Sequence, residues 1–150
     1  FYVSEIEKDN NTSQNISTLK LAATFGIDPQ KAKQSFVYGE GIIGQCAMDA
    51  RMRHIDSPPT DYMQIDSGLG HSQLKSIVIY PIIHEDSTCA VVEFASLVKF
   101  DDKEIMLLRQ IVENIGITIN SISRNMLTER LYQEIAIKNN ILASQKQALD

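Results

Sequence analysis

The sequence predicts an α+β chain in which a strand-rich first two thirds is followed by one long helix, and three observations carry that expectation. Two apolar runs of strand length, Ser76 to Ile83 and Thr88 to Ala95, are joined by the polar residues His84-Glu85-Asp86-Ser87. Leu19, Leu21 and Ala23 alternate with Lys20, Ala22 and Thr24, the period of a half-buried strand. After Pro81 the chain has no proline, and past Gly70 its only glycine is Gly116.

In chain order, Phe1 to Ile6 and Ser17 to Ile27 read as strands flanking a polar loop, Asp9-Asn10-Asn11-Thr12-Ser13-Gln14-Asn15. Gly26 and Pro29 close the second of them. A short apolar piece, Phe36-Val37-Tyr38, runs into Gly39-Glu40-Gly41-Ile42-Ile43-Gly44-Gln45-Cys46, with a short helix continuing to Ala50. His54-Ile55-Asp56 follows, then a long irregular segment from Ser57 to Gly70 that contains Pro58-Pro59. The two strong strands come next, and their connection is of hairpin length.

At Asp101 the character changes. Asp101 and Glu104 stand in capping-box spacing before an apolar periodic run, with acidic charge at the favoured helix end. One helix is predicted from Asp102 to about Leu149; at ~1.5 Å per residue it reaches roughly 70 Å. Leu108, Val112, Ile115, Ile119, Ile122 and Met126 fall within about 40° of one direction on it. Beyond Met126 that register would place Glu129, Gln133 and Asn140 on the seam. Leu131, Ile135, Leu142 and Leu149 instead form a stripe roughly 140–180° away. Two accounts fit: a helix that ends near Asn125 and restarts, or one helix whose first half covers its own sheet and whose second half pairs with another copy. The second is preferred, with Lys138 and Gln145 weakening the paired seam.

Bulk properties exclude several classes. Lys plus Arg number 14 against 19 Asp plus Glu, giving a net charge of −5 that argues against a nucleic-acid partner. No stretch approaches the roughly 18 apolar residues of a membrane span. No signal-peptide pattern opens the chain, so the expected location is the cytoplasm. Phe1-Tyr2-Val3 begins inside a strand-like run, which points to a natural N-terminus further upstream. Cys46 and Cys89, and His54, His71 and His84, are too scattered for a metal site, and the two thiols read as structural.

Gly39-Glu40-Gly41-Ile42-Ile43-Gly44 matches GxGxxG, yet the preceding strand is short and no βαβ unit follows. Glu40 would also set a carboxylate where a pyrophosphate must meet helix amides. No nucleophile stands with a base and an orienting group, so no catalytic residue is assigned and the fragment is not expected to be an enzyme. Asp101, Asp102 and Glu104 are explained by helix capping. Glu93 is the odd residue: within Ala90-Val91-Val92-Glu93-Phe94-Ala95 it either borders a partly wet pocket or pairs locally.

Several of these pieces resemble one family. Phe36-Val37-Tyr38-Gly39-Glu40-Gly41-Ile42-Ile43-Gly44-Gln45 is similar to the "GEGlvGq" signature of GAF domains. Ile55-Asp56-Ser57-Pro58, Tyr62 and Ser67-Gly68-Leu69-Gly70 resemble the family's central loop, and Ser76-Ile77-Val78-Ile79-Tyr80-Pro81-Ile82 its "s.l.vPi" strand. Cys89-Ala90-Val91-Val92-Glu93-Phe94-Ala95-Ser96 resembles "GVlElaS", and Phe100-Asp101-Asp102-Lys103-Glu104 the start of the last helix. The pieces occur in order across Phe1 to Ile122.

The resemblance implies a GAF-like antiparallel sheet of about six strands with helices on both faces, plus the long C-terminal helix. It implies a sensory domain over 1–122 and a helical signalling linker over 123–150, leading to an output domain beyond this sequence. It implies a small-molecule pocket under the Gly41-to-Ala50 helix and the central loop, for which the candidates are Ile43, Cys46, Ile55, Tyr62, His71, Tyr80 and Glu93. The family's leading helix has no counterpart before Phe1. Cyclic nucleotide is disfavoured because no Asn-Lys pair follows the Glu93 strand, and bilin because no Cys-His pair precedes the Tyr80 strand. Haem would rest on His71 alone. By the same resemblance the output is a bacterial sensor histidine kinase of a two-component system, with cyclases and phosphatases as rivals. The expected partner is a second copy paired through Leu131, Ile135, Leu142 and Leu149. The alternative is a ligand-free dimerisation spacer, its pocket filled by Tyr62, Tyr80 and Phe94.

Overall fold

In a computed structural model of the chain, residues 1–8, 15–60, 62, 64–67 and 70–147 are described, without the side chains of 7–8, 15, 64–67, 70–71, 140 and 142–147. The polar loop at 9–14, Gly68, Leu69 and Leu149, and the side chains of Asn15, His71 and Leu142, therefore lie outside the described set. By its contacts the chain divides into two units, Phe1–Asn114 and Ile115–Asp150.

The first unit is built on a six-stranded antiparallel sheet. In chain order its strands are β1 (Tyr2–Lys8), β2 (Asn15–Leu21), β3 (Ser35–Val37), β4 (Arg53–Asp56), β7 (Ser76–His84) and β8 (Ser87–Ser96), in spatial order β3-β2-β1-β8-β7-β4. A separate hairpin, β5 (Gln64–Ser67) with β6 (Gly70–Gln73), occupies part of the segment expected to be irregular. Helix α1 (Gly41–Asp49) packs against β3, β7 and β8.

Parity along β7 assigns the two sheet faces. Ile77 and Ile79 join Tyr2, Leu19, Ile43, Cys46, Ala47, Leu74 and Val91 in one buried cluster, so this face lies under α1. Val78, Tyr80 and Ile82 point the other way, where the Tyr80 hydroxyl donates to the Ile105 carbonyl in the opening turns of α2 (Asp102–Gln147) at 2.9 Å. Helices thus cover both faces, as expected. Ile77, Val78, Ile79 and Val91 are fully buried; each such side chain stabilises the fold by about 1.5–3 kcal/mol.

Local chemistry explains the turns. The β7–β8 hairpin closes through Glu85 (φ 47°) and Asp86 (φ 62°), consecutive left-handed residues of the kind a two-residue hairpin turn needs. Ile83 pairs with Thr88, but Ile82 pairs with Ala90, so Cys89 is an extra residue forming a β-bulge. β2 stops at Leu21 rather than reaching Ile27. Beyond it the backbone turns through Gly26 (φ 75°), and the Phe25 side chain is wholly exposed.

The expected capping box at α2 is present. The Asp101 amide donates to Glu104 Oε2 at 2.8 Å, and the Glu104 amide donates to Asp101 Oδ1 at 2.7 Å. Helix α2 then runs unbroken through Asn125 to Gln147, so the chain forms one helix and not two. Within the first unit Leu108 is half-buried and Val112 is buried. Taken by itself, the second unit is helix with an apolar but open surface. Ile122, Met126, Leu131, Tyr132, Ile135, Ile137 and Ile141 are each half or more exposed.

Candidate functional site

The GxGxxG segment forms a structural turn. Gly39 and Gly41 have φ of 86° and 60°, and a Cβ on Gly44 would come within 2.3 Å of the Val37 carbonyl oxygen. Glu40 is held inside this turn: its Oε2 accepts the Val37 amide at 2.9 Å and its Oε1 pairs with Lys33. The Lys33 hydrogen bond, helped by that amide, keeps the carboxyl below its ordinary range. A carboxylate therefore fills the place a phosphate would need.

On the α1 face, Ile43 and Cys46 are core residues. Cys46 is fully buried with its thiol 3.8 Å from the Ile79 carbonyl, and burial pushes that thiol up to about 12. Burial also raises the half-buried Cys89 thiol above its ordinary range. Ile55 pairs in register with Ile77 and shares its face at the sheet edge. Tyr62, from the central loop, packs against the buried cluster and donates its hydroxyl to Glu93 Oε1 at 2.9 Å. Burial raises the Glu93 carboxyl above its ordinary range, with the Tyr62 hydrogen bond opposing the shift. Burial, reinforced by the Glu93 charge, likewise raises the Tyr62 phenol.

The structure therefore brings Ile43, Cys46, Tyr62 and Glu93 to one face, with Ile55 at its margin. It does not bring Tyr80 to them. Glu93 pairs with Ile79 whereas Tyr80 pairs with Val92, so the two side chains leave the sheet in opposite directions. The bulge at Cys89 is the physical reason: a regular hairpin from the same turn would pair Glu93 with Val78, on the face of Tyr80. His71 stands opposite Asp66 on the small hairpin.

Glu93 also borders a cleft of about 480 Å³ at the end of the sheet. Its other walls include Leu21, Phe25, Ile27, Phe94, Phe100 and Leu108. Phe1 and Tyr2, at the start of β1, also line it.

A second polar cluster escaped the sequence reading. His54 Nε2 is 3.0 Å from Ser76 Oγ, which donates to Asp56 Oδ1 at 3.1 Å. Asp56 Oδ2 in turn pairs with Lys99 at 3.2 Å. The signal was present, since His54 and Asp56 alternate on one strand and must share a face. It is not a nucleophilic relay, because serine and carboxylate both meet Nε2, with His54 Nε2 3.3 Å from Asp56 Oδ1, and Ser76 is fully buried. It ties β4, β7 and the loop before α2 together. Among the described residues no group of three or more His, Cys, Asp or Glu is placed to hold a metal ion, and no helix is long and apolar enough to cross a membrane.

In the first unit, then, a six-stranded antiparallel sheet carries helix on both faces, with the Tyr62–Glu93 pair on one of them. A family model described as "GAF domain" matches residues 2–120, and the chain belongs to that family, whose general role is sensory and regulatory. Comparison with curated proteins and with solved structures returned no match.

Proposed function

We propose that this chain is the sensory domain of a larger cytoplasmic signalling protein. In this reading a small molecule binds at the Tyr62–Glu93 side of the sheet, and α2 carries the change to an output domain, a sensor histidine kinase. The chain has no catalytic role of its own. The observation that carries the reading is the placement of a half-buried, ionisable Glu93 on the sheet, bordering a cleft on whose wall Leu108 of α2 also lies. On the opposite face Tyr80 bonds the same helix, so a shift of β7 against β8 reaches α2 directly. Coupling of this kind requires the ligand to favour one arrangement over the other, typically by about 1–3 kcal/mol. The exposed apolar residues of the second unit are the surface through which a second copy pairs, Leu131 and Ile135 being central.

A ligand-free dimerisation spacer is the second reading. It draws on the dense packing of Ile43, Cys46, Ile79 and Tyr62 beneath α1. Native mass spectrometry of the purified chain, compared with its denatured mass, separates the two. A small molecule lost on denaturation supports the sensor and identifies its ligand. A clean apo mass with a dimer peak, unchanged after incubation with cell metabolite extract, supports the spacer.

A further inference from the structure

The segment between β8 and α2 is short and open to water. Leu97, Val98 and Lys99 are exposed, and the Val98 amide donates back to Ser96 Oγ at 3.2 Å. Lys99 reaches across to β4, where its ammonium pairs with Asp56 Oδ2 at 3.2 Å. The receiving carboxylate is fixed from its other side. Its Oδ1 accepts the hydroxyl of the fully buried Ser76 at 3.1 Å and lies 3.3 Å from His54 Nε2. Asp56 is thus a pre-set anchor, and Lys99 a flexible arm that reaches it.

Each partner adjoins an element with a part in the sensory reading. Asp56 ends β4, and Ser57, directly after it, opens the central loop that carries Tyr62. Ser57 takes a left-handed φ of 54°, which a residue with a side chain rarely adopts, and its amide donates to the Lys75 carbonyl at 2.8 Å. Lys99 stands two residues before Asp101. The Asp101 carboxylate accepts the Glu104 amide at 2.7 Å, and its carbonyl accepts the Ile105 amide at 3.0 Å. One ion pair therefore joins the root of the central loop to the first turn of α2, apart from the Tyr80 bond that meets the helix from β7.

We propose that the Asp56–Lys99 pair is a releasable tie through which the position of the central loop sets the order of the first turn of α2. An ion pair open to water shifts an equilibrium by about two- to fivefold. That is enough to bias the turn, and little enough for a small movement of the loop to break it. The proposal names a route of transmission, and it rests on the sensory reading above for the stimulus that moves the loop.

The test is amide hydrogen exchange followed by NMR on the whole chain. The Glu104 and Ile105 amides report on the first turn of α2, and the core amides of β7 are the control. Lys99→Met and Asp56→Asn, the second of which keeps an oxygen for Ser76, should each speed exchange at the reporters about two- to fivefold and leave β7 unchanged. Lys99→Arg, which keeps the pair, should exchange like the parent chain. Salt at about 1 M should bring the parent to the level of the variants. Tyr62→Phe frees the central loop from Glu93 while keeping its ring. It should speed the reporters in the parent and add nothing in the Lys99→Met background. Reporters unmoved by Lys99→Met, a change spread equally over β7, or a Tyr62→Phe effect of equal size with and without Lys99 would each overturn the tie. No ligand enters this experiment, so its failure removes the tie and leaves the sensory reading to mass spectrometry. A clean apo mass there removes the ligand and leaves a tie seen by exchange standing.

Discussion

The two units of this chain differ in whether they enclose an apolar core. In the sheet unit Leu19, Ile77, Val78, Ile79 and Val91 are fully buried, and the polar groups among them have partners, as when Thr88 donates to the Ala47 carbonyl at 2.8 Å. In the helical unit Leu127, Leu131, Ile135, Ile137 and Ile141 are more than half or about half exposed. Isolated helices draw little stability from propensity alone; packing of an apolar face supplies it. The first unit thus holds a buried core, whereas the large apolar residues of the second lie mostly exposed. Substitutions should accordingly act on stability in one and on association in the other.

The largest effect belongs to the core. Ile79→Ala should cost about 2–5 kcal/mol in denaturant unfolding, while Leu131→Ala in the helical unit should stay within about 0.5 kcal/mol at concentrations where the chain is monomeric. Comparable losses at the two positions would erase the contrast. Gly44→Ala comes next. Its Cβ would meet the backbone of Val37, which cannot swing aside, so a loss of about 1–3 kcal/mol in thermal unfolding is expected. Tyr80→Phe removes one hydrogen bond between β7 and α2 and should cost about 1 kcal/mol. It should also raise amide exchange in the opening turns of α2, which a purely local effect on β7 would leave unchanged.

The subtlest contrast is in pH dependence. The Glu93 carboxyl is raised in the folded state, so the native form holds its proton at pH values where the unfolded chain has lost it. Stability should therefore fall as pH rises from the ordinary glutamate range towards the raised value, then level off. Glu93→Gln should flatten that slope in urea titrations across the window. A slope unchanged by the substitution would mean that Glu93 is solvated like a surface carboxylate.

What the sequence revealed, and what it hid, follows the range of the interactions concerned. The Asp101–Glu104 box, the β7–β8 hairpin and the GxGxxG turn are all set by neighbours within a few residues, and each was legible. The association of Tyr62 with Glu93 spans 31 positions, and sequence alone names both as pocket candidates, with local pairing the alternative for Glu93, without joining them. The resemblance implies a pocket that takes in both Tyr80 and Glu93, and regular pairing through the hairpin would indeed put them on one face. A single extra residue at Cys89 inverts the parity of everything beyond it, and nothing local announces a bulge there. The end of β2 was set too late for a similar reason: alternation continues past Leu21, but the sheet offers Ala22 and Ala23 no partner strand, their amides bonding instead to the Phe1 carbonyl. The His54–Ser76–Asp56 cluster was readable in principle from alternation on β4, yet only the pairing of Asp56 with Ser76 supplies its third member.

The contrast between the units turns on what the exposed helical surface meets. Sedimentation velocity of the chain beside its Leu131→Asp/Ile135→Asp double variant addresses this most directly, with circular dichroism and thermal unfolding of the sheet unit recorded on the same samples. The account predicts a dimer for the parent chain, a monomer for the variant, and the same sheet-unit melting in both. A parent chain that sediments as a monomer, or a variant that remains dimeric, would contradict it.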